Sequence, residues 1–237
     1  MELRSEFHFN LFTGDALDFN WHDVLRKFSG FDLILGNPPY VCSRHLTEIT
    51  KAKLRSWTVC KSGHPDLYIP FFQIGIENLA INGILGFITM NSFFKSLNGR
   101  SLREYFQTNS LGFRIIDFGT EQVFKSRYTY TCICLIENRK DNSIRYYKST
   151  SVNQLPKNQK PFNIINYSKL DFKKGWNLQN HEIISKIEST GVSLGELYKT
   201  RNGIATLKNE VYIFNPIKED NDFFYLQNGS IYPIEKG

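Results

Sequence analysis

A short apolar run that stops at two consecutive prolines is the feature that most constrains the fold of this chain. Residues 31–36 read Phe-Asp-Leu-Ile-Leu-Gly and run directly into Asn-Pro-Pro-Tyr at residues 37–40. A short apolar run bounded by turn residues is typical of a buried strand. The prolines fix the backbone and remove two N–H donors, so the strand must end there. We therefore predict a buried strand whose carboxyl end carries the segment 37–40.

The rest of the first 138 residues alternates between strand and helix patterns, which predicts a mainly parallel sheet covered by helices on both faces. The predicted strands are 7–12, 84–90, 113–118 and 130–137, and the predicted helices are 23–28, 47–57, 66–80 and 101–107. The short link between the last two strands permits a hairpin, which would give one antiparallel edge strand. Beyond Asn138 the composition is polar, so we predict a domain at 1–138 and a connector with a helix at 139–190. A new domain then runs from 191 to 237, with a Gly-rich turn followed by a strand at 211–214.

Bulk composition narrows the function classes. The 237 residues carry a net charge of +6, which suits a polyanionic partner. The four cysteines form no CxxC pair, so we predict no metal site and reduced thiols, with Cys132 and Cys134 on one face of a strand. The charged N-terminus lacks a signal peptide's apolar core, and no uncharged apolar run reaches membrane-spanning length. We expect a cytoplasmic protein without a membrane partner.

The segment 37–40 is suited to hold an amino group. Ligands gather at the carboxyl ends of strands in such sheets. The fixed backbone turns the Pro38 carbonyl outward as an acceptor, and the amide oxygen of Asn37 adds a second acceptor. Two acceptors can bind both hydrogens of an –NH2 group and leave its lone pair directed at an electrophile. Tyr40 supplies a flat face on which a planar base or amide can stack.

Residues 31–40 resemble the catalytic motif of the amino-methyltransferases that use S-adenosyl-L-methionine. The wider pattern is similar to the gamma class of DNA adenine-N6 methyltransferases, the Eco57I-like and TaqI-like restriction-modification methylases. The resemblance implies that Asn37, Pro38, Pro39 and Tyr40 are catalytic, with Asn37 and the Pro38 carbonyl binding the target amine and Tyr40 stacking on it. The target would be an adenine of double-stranded DNA, flipped out of its stack to reach the site.

Two further segments resemble parts of this family. Residues 13–17 are similar to the segment that binds the adenine of the cofactor, which implies cofactor contacts for Asp15 and Ala16, together with Asn37. Residues 119–124 resemble the segment that carries a second aromatic contact to the flipped base, which implies that Phe124 binds substrate. Asp66 resembles a residue near the cofactor, but we interpret it as an N-terminal helix cap.

The tail of the chain resembles the opening of the target-recognition domain in TaqI-like enzymes. The similar residues are 193–206, where Lys199 and Arg201 are candidate phosphate contacts, as is Lys208 beyond them. The resemblance thus implies an α/β fold: a partial Rossmann-like S-adenosylmethionine-dependent methyltransferase sheet, parallel with an antiparallel edge strand, followed by the start of a target-recognition domain.

The family's Gly-rich turn for the methionine part of the cofactor is missing from the fourteen residues before Asp15. We therefore expect half of the cofactor pocket to lie outside this chain, either because the chain is a fragment or because a partner chain supplies that half. Two other functions stay open. The chain could be a non-catalytic DNA-binding remnant, or a methyltransferase that acts on glutamine or RNA, since Asn-Pro-Pro-Tyr also occurs in those enzymes.

Overall fold

In a computed structural model of the protein, the described residues are 10–124, 129–152, 155, 162–199, 216–226, 229 and 231–233. The chain forms two compact units, Met1–Ile187 and Glu188–Gly237. No helix among these described residues is long and apolar enough to cross a membrane.

A six-stranded sheet organises the first unit, in the order β1-β2-β4-β3-β5-β6. Its strands are β1 Phe31–Gly36, β2 Leu79–Met90, β3 Leu111–Gln122, β4 Tyr130–Lys140, β5 Ser143–Lys148 and β6 Asn163–Asn166. Strands β1, β2, β3 and β5 run in one direction, while β4 and β6 run in the other. The predicted mainly parallel α/β sheet is confirmed. Long-range pairing places the antiparallel β4 inside the sheet, between β2 and β3, rather than at the predicted edge.

Part of the stretch predicted as a connector, residues 139–190, instead extends the main sheet. Strand β5 pairs in parallel with β3, and β6 pairs with β5. Apolar side chains explain this placement, because Ile144 and Ile165 point into the core and are at least nine-tenths buried. The predicted strand at 7–12 lies mostly outside the described residues, and the one at 211–214 lies entirely outside them.

Helices flank this sheet, and their bounds differ from those predicted. They are α1 Trp21–Val24, α2 Glu48–Leu54, α3 Ile69–Glu77, α4 Arg100–Asn109 and α5 His181–Glu188. The side chain of Thr47 caps α2 by accepting from the Thr50 N–H. Helix α3 tolerates Pro70 because N–H groups in the first turn of a helix have no helical partner. Helix α3 contacts β2, and both helices α3 and α4 contribute phenylalanines to the core.

Strand β1 is the edge of the sheet and is more exposed than we predicted. Within the described part of the chain it pairs, in parallel, with β2 along one side only. Leu33 and Leu35 share one face of β1 and are 56% and 71% exposed, whereas Ile34 packs against the core from the other face. The prediction of a fully buried strand is therefore wrong for one face, because no described element covers it.

The second unit begins near the position where we predicted a new domain. It contains the short helix α6 Leu194–Leu197 and a small antiparallel sheet of β7 Lys218–Glu219, β8 Phe223–Tyr225 and β9 Ile231–Pro233. Lys199 is exposed, while Arg201 and Lys208 lie outside the described residues.

Candidate active site

The segment 37–40 leaves β1 at the carboxyl edge of the sheet, as predicted. Asn37 is exposed, and its side-chain amide has no hydrogen-bond partner among the described residues. Pro38 is buried, and within the same ranges its carbonyl accepts no backbone hydrogen bond. The turn closes one residue later, where the Val41 N–H donates to the Pro39 carbonyl at 3.1 Å. Both acceptors proposed for an amino group are therefore free to accept.

Two hydrogen bonds hold the chain just beyond Tyr40. The Ser43 N–H donates to the Asp66 carboxylate at 3.0 Å, and the Leu67 N–H donates to the Val41 carbonyl at 2.9 Å. The interpretation of Asp66 as a helix cap is wrong, because α3 begins at Ile69 and its cap makes no side-chain hydrogen bond. Asp66 instead ties the loop that follows the motif to the start of α3.

Tyr40 is anchored rather than free. It is half-buried, and its hydroxyl donates to the Ile88 carbonyl of β2 at 3.1 Å. Burial, with the nearby thiols of Cys132 and Cys134 adding to it, raises the pKa of Tyr40 to about 12. These two cysteines share one face of β4 as predicted, with sulfurs 3.7 Å apart. The hydrogen bond to the Ile88 carbonyl holds the tyrosine ring against the end of β2.

A mostly apolar pocket of about 400 Å³ lies between β1, α3 and the residues before α1. Ala16, Asn37, Pro38 and Pro39 line it, so two of the three predicted cofactor residues meet in one cavity. Its aromatic lining comes from Phe12, Phe19, Trp21, Phe31, Phe71 and Phe87. Phe71 could not be singled out from the sequence, because its helical spacing is that of an ordinary core phenylalanine.

Asp15 lies next to this pocket in the chain but does not line it. Its carboxylate accepts from the Lys53 ammonium at 2.6 Å and from the Leu17 N–H at 3.0 Å, and Lys53 also pairs with Asp18. The hydrogen bond from Lys53 is the largest cause that lowers the pKa of Asp15. A cofactor amine that binds Asp15 must share the carboxylate with Lys53.

Phe124 follows the end of β3 by two residues and is half-buried. It stands on the same edge of the sheet as the segment 37–40, because β1 and β3 run in the same direction. The basic residues beside it, Lys125 and Arg127, lie outside the described residues. The structure thus places both predicted base-stacking rings on one edge.

A buried carboxylate that sequence reasoning missed organises this edge. Asp117 of β3 is 6% exposed and accepts from the Asn91 amide at 2.9 Å, the Gly119 N–H at 2.9 Å, the Tyr146 hydroxyl at 2.8 Å and the Lys148 ammonium at 3.3 Å. It therefore joins the ends of β2, β3 and β5. The signal was an ionisable residue inside an apolar strand, which is rarely buried without partners.

Gly119 permits this arrangement at the start of the segment that carries Phe124. Its φ is +58°, and a Cβ there would lie 1.8 Å from the Lys148 ammonium nitrogen. Only glycine allows both the backbone conformation and the approach of Lys148 to Asp117. No group of three or more His, Cys, Asp or Glu in the described part of the chain could hold a metal ion.

The chain shares its fold with a type IIG restriction endonuclease. Its structure aligns with that of the type IIG restriction endonuclease BpuSI with a TM-score of 0.52 and 16% sequence identity, over 69% of this chain and 22% of that one. The family model described as Eco57I restriction-modification methylase matches residues 5–124. The chain therefore belongs to the Eco57I restriction-modification methylase family, which confirms the predicted resemblance to Eco57I-like methylases.

Two relatives illustrate this membership. The Type II restriction enzyme and methyltransferase RM.Eco57I of Escherichia coli is 32% identical over 87% of this chain, and the Type II methyltransferase M.BstVI of Geobacillus stearothermophilus is 26% identical over 84%. The matches cover 22% and 40% of these two proteins, so the chain corresponds to less than half of either relative.

Proposed function

We propose that this chain forms the target-amine part of a restriction-modification DNA methyltransferase that methylates the N6 amino group of a flipped adenine in double-stranded DNA. The observation that carries the proposal is the pair of free acceptors, Asn37 Oδ1 and the Pro38 carbonyl, at the end of β1 in a chain of this family.

The two acceptors serve the reaction by binding both hydrogens of the adenine amino group. This orients the nitrogen lone pair away from the protein and toward the methyl donor. Transfer of a methyl group to this nitrogen would break the bond between that methyl group and the donor's sulfur and would leave positive charge on the nitrogen. The two fixed oxygen dipoles lower the free energy of that charge until one amino proton leaves to solvent. Tyr40 and Phe124 stack on the flipped base and replace the stacking that the base loses in the duplex.

The residues of the 400 Å³ pocket fit the adenosine part of S-adenosyl-L-methionine. Its aromatic walls suit a planar base, and Asn37 and Asn78 supply polar groups. No charged side chain lines the pocket within the described residues, so the charged ends of the methionine part require other groups. When bound, this cofactor supplies an electrophilic methyl group. Ala16, Asn37 and Phe71 would hold it, with Asp15 at the rim.

We further propose that the missing part of the cofactor pocket comes from a segment or a partner chain that pairs with the outer edge of β1. Support comes from the side of this strand with which no described residue pairs, and from the exposed Leu33 and Leu35. In this proposal the second unit is the start of a target-recognition domain.

A transfer assay tests the function. The chain, alone and with a segment that supplies the methionine site, is given tritium-labelled S-adenosyl-L-methionine with duplex DNA, RNA or protein. We expect label in DNA, loss of it in Asn37→Ala, and retention in Asn142→Ala, which removes an exposed asparagine at the opposite edge of the sheet.

Each alternative has its own outcome. Label in protein glutamine or in RNA, without label in DNA, would overturn the substrate. A chain that binds DNA but transfers no label even with the added segment would be a non-catalytic remnant. Label in DNA that survives in Asn37→Ala would overturn the role of Asn37.

A further inference from the structure

A basic surface follows the proposed base site along the chain. It lines a cavity of about 560 Å³ and comprises Arg44, Lys51, Arg55 and His64. Its residues belong to the segment 41–65, which connects the motif to α3. None of them takes part in the base or cofactor contacts proposed above, so this surface needs a separate explanation.

The positive charge of the chain is concentrated in this segment. Residues 41–65 contain five Lys and Arg against one Glu, a net charge of +4, while the whole chain carries +6. About one ninth of the sequence therefore carries most of the net charge. A local excess of this size creates a positive potential that attracts a polyanion.

The two arginines of this segment are available to a partner. Lys51 pairs with Glu48 at 2.8 Å, and Lys53 is engaged by Asp15. Arg44 and Arg55, by contrast, are exposed and form no ion pair with any described carboxylate. A guanidinium group offers a planar fork of donors that matches phosphate oxygens.

The surface is fixed relative to the base site by the tethers described above. The hydrogen bonds from Ser43 to Asp66 and from Leu67 to Val41 close the segment at both ends, directly after Tyr40. Arg44 is four residues from Tyr40 along the chain. A base flipped onto Tyr40 remains bonded to its own sugar and phosphates, so the strand must pass close to this loop.

We propose that the basic surface binds the phosphates of the DNA strand that carries the flipped base, with Arg44 and Arg55 as its principal contacts. This inference rests on the proposed function, since it needs DNA as the partner. Such contacts fix the position of the duplex without reading sequence. The surface therefore supplies affinity and register for the strand, while base recognition is left to other parts of the protein.

The test measures how DNA affinity depends on salt. The double variant Arg44→Ala/Arg55→Ala is compared with Arg139→Ala/Lys140→Ala, in which two exposed cations are removed from the end of β4 at the opposite edge of the sheet. Both changes lower the net charge from +6 to +4. Dissociation constants for one fixed duplex are measured by fluorescence anisotropy across a series of salt concentrations, and circular dichroism verifies that each variant is folded.

We expect the slope of log K against log salt to fall in magnitude by about 0.9 for each phosphate that is no longer neutralised, or about 1.8 in Arg44→Ala/Arg55→Ala. The control should keep the wild-type slope. Equal slopes in the two variants would overturn the inference while leaving the proposed function intact. Wild-type chain that binds no duplex at low salt would overturn both. The chain could show a reduced slope in Arg44→Ala/Arg55→Ala and yet transfer label only to protein or RNA. That result would support the phosphate-binding surface and overturn the proposed function.

Discussion

Asp117 is the side chain whose replacement most sharply tests how the edge of the sheet is built. Its Oδ1 accepts from Asn91 and Gly119, and its Oδ2 accepts from Tyr146 and Lys148. Asp117→Asn keeps an oxygen for the first pair but sets an amide NH2 against a hydroxyl and an ammonium. Asp117→Ala removes all four interactions and leaves buried donors without partners.

The expected loss of stability follows from these four interactions. A hydrogen bond to a charged group contributes about 1.5–3 kcal/mol, and an unsatisfied buried group costs about 1–3 kcal/mol. The Lys148 side chain is one-third exposed, so its contribution is reduced by solvent screening. We expect the free energy of unfolding to fall by about 2 kcal/mol in Asp117→Asn and by about 4 kcal/mol in Asp117→Ala.

Urea denaturation followed by circular dichroism measures both losses from the shift of the midpoint at constant slope. The matched control is Glu104→Gln, which neutralises an exposed carboxylate on α4 and should change the free energy by less than about 0.5 kcal/mol. If Asp117→Asn unfolds at the same urea concentration as this control, Asp117 does not hold the strand ends together and the reasoning fails.

Substitutions at three further residues have defined outcomes. Tyr40→Phe removes the hydrogen bond to the Ile88 carbonyl but keeps the aromatic face, so we expect about 1 kcal/mol less stability in urea and retained methyl transfer. Tyr40→Ala also removes the aromatic face and should lose methyl transfer. Equal losses of methyl transfer in the two variants would contradict a stacking role. Lys53→Met should let the pKa of Asp15 rise toward its ordinary value in a carbon-detected NMR titration. Because the folded-state pKa of Asp15 is lowered, its stabilising contribution is present at neutral pH and is lost as the pH falls through that pKa. An Asp15 titration that is unchanged in Lys53→Met would refute the pairing of Asp15 with Lys53. Arg103→Met should cost about 3–5 kcal/mol in the same urea assay, since the buried guanidinium donates to three backbone carbonyl groups and its loss removes the donor from the Phe93 and Phe172 carbonyls. A loss below about 1 kcal/mol would contradict this.

The sequence predicts the structure best where interactions between neighbouring residues determine it. The strand at 31–36 and the turn at 37–40 follow from an apolar run meeting two prolines, and the structure has both. The order of the strands does not follow from local patterns. Strand β4 enters the sheet between β2 and β3 because of pairings with residues far along the chain.

Local sequence patterns also do not predict which side chains from distant parts of the chain form hydrogen bonds or line a pocket together. Asp66 looked like a helix cap, and only the folded chain brings the Ser43 N–H to its carboxylate. Phe71 could not be distinguished from other helical phenylalanines, because the pocket that it lines is formed with residues before α1. Asp117 could have been found, since a carboxylate within an apolar strand needs buried partners.

The central claim is that Asn37 and the Pro38 carbonyl present an adenine amino group for methylation. The most direct test is to digest duplex DNA to nucleosides after incubation with S-adenosyl-L-methionine and the chain joined to a methionine-site segment, and to identify the product by mass spectrometry. We predict N6-methyldeoxyadenosine with the wild-type chain and none with Asn37→Ala. Methylation of a cytosine, or N6-methyldeoxyadenosine formed equally by Asn37→Ala, would contradict the claim.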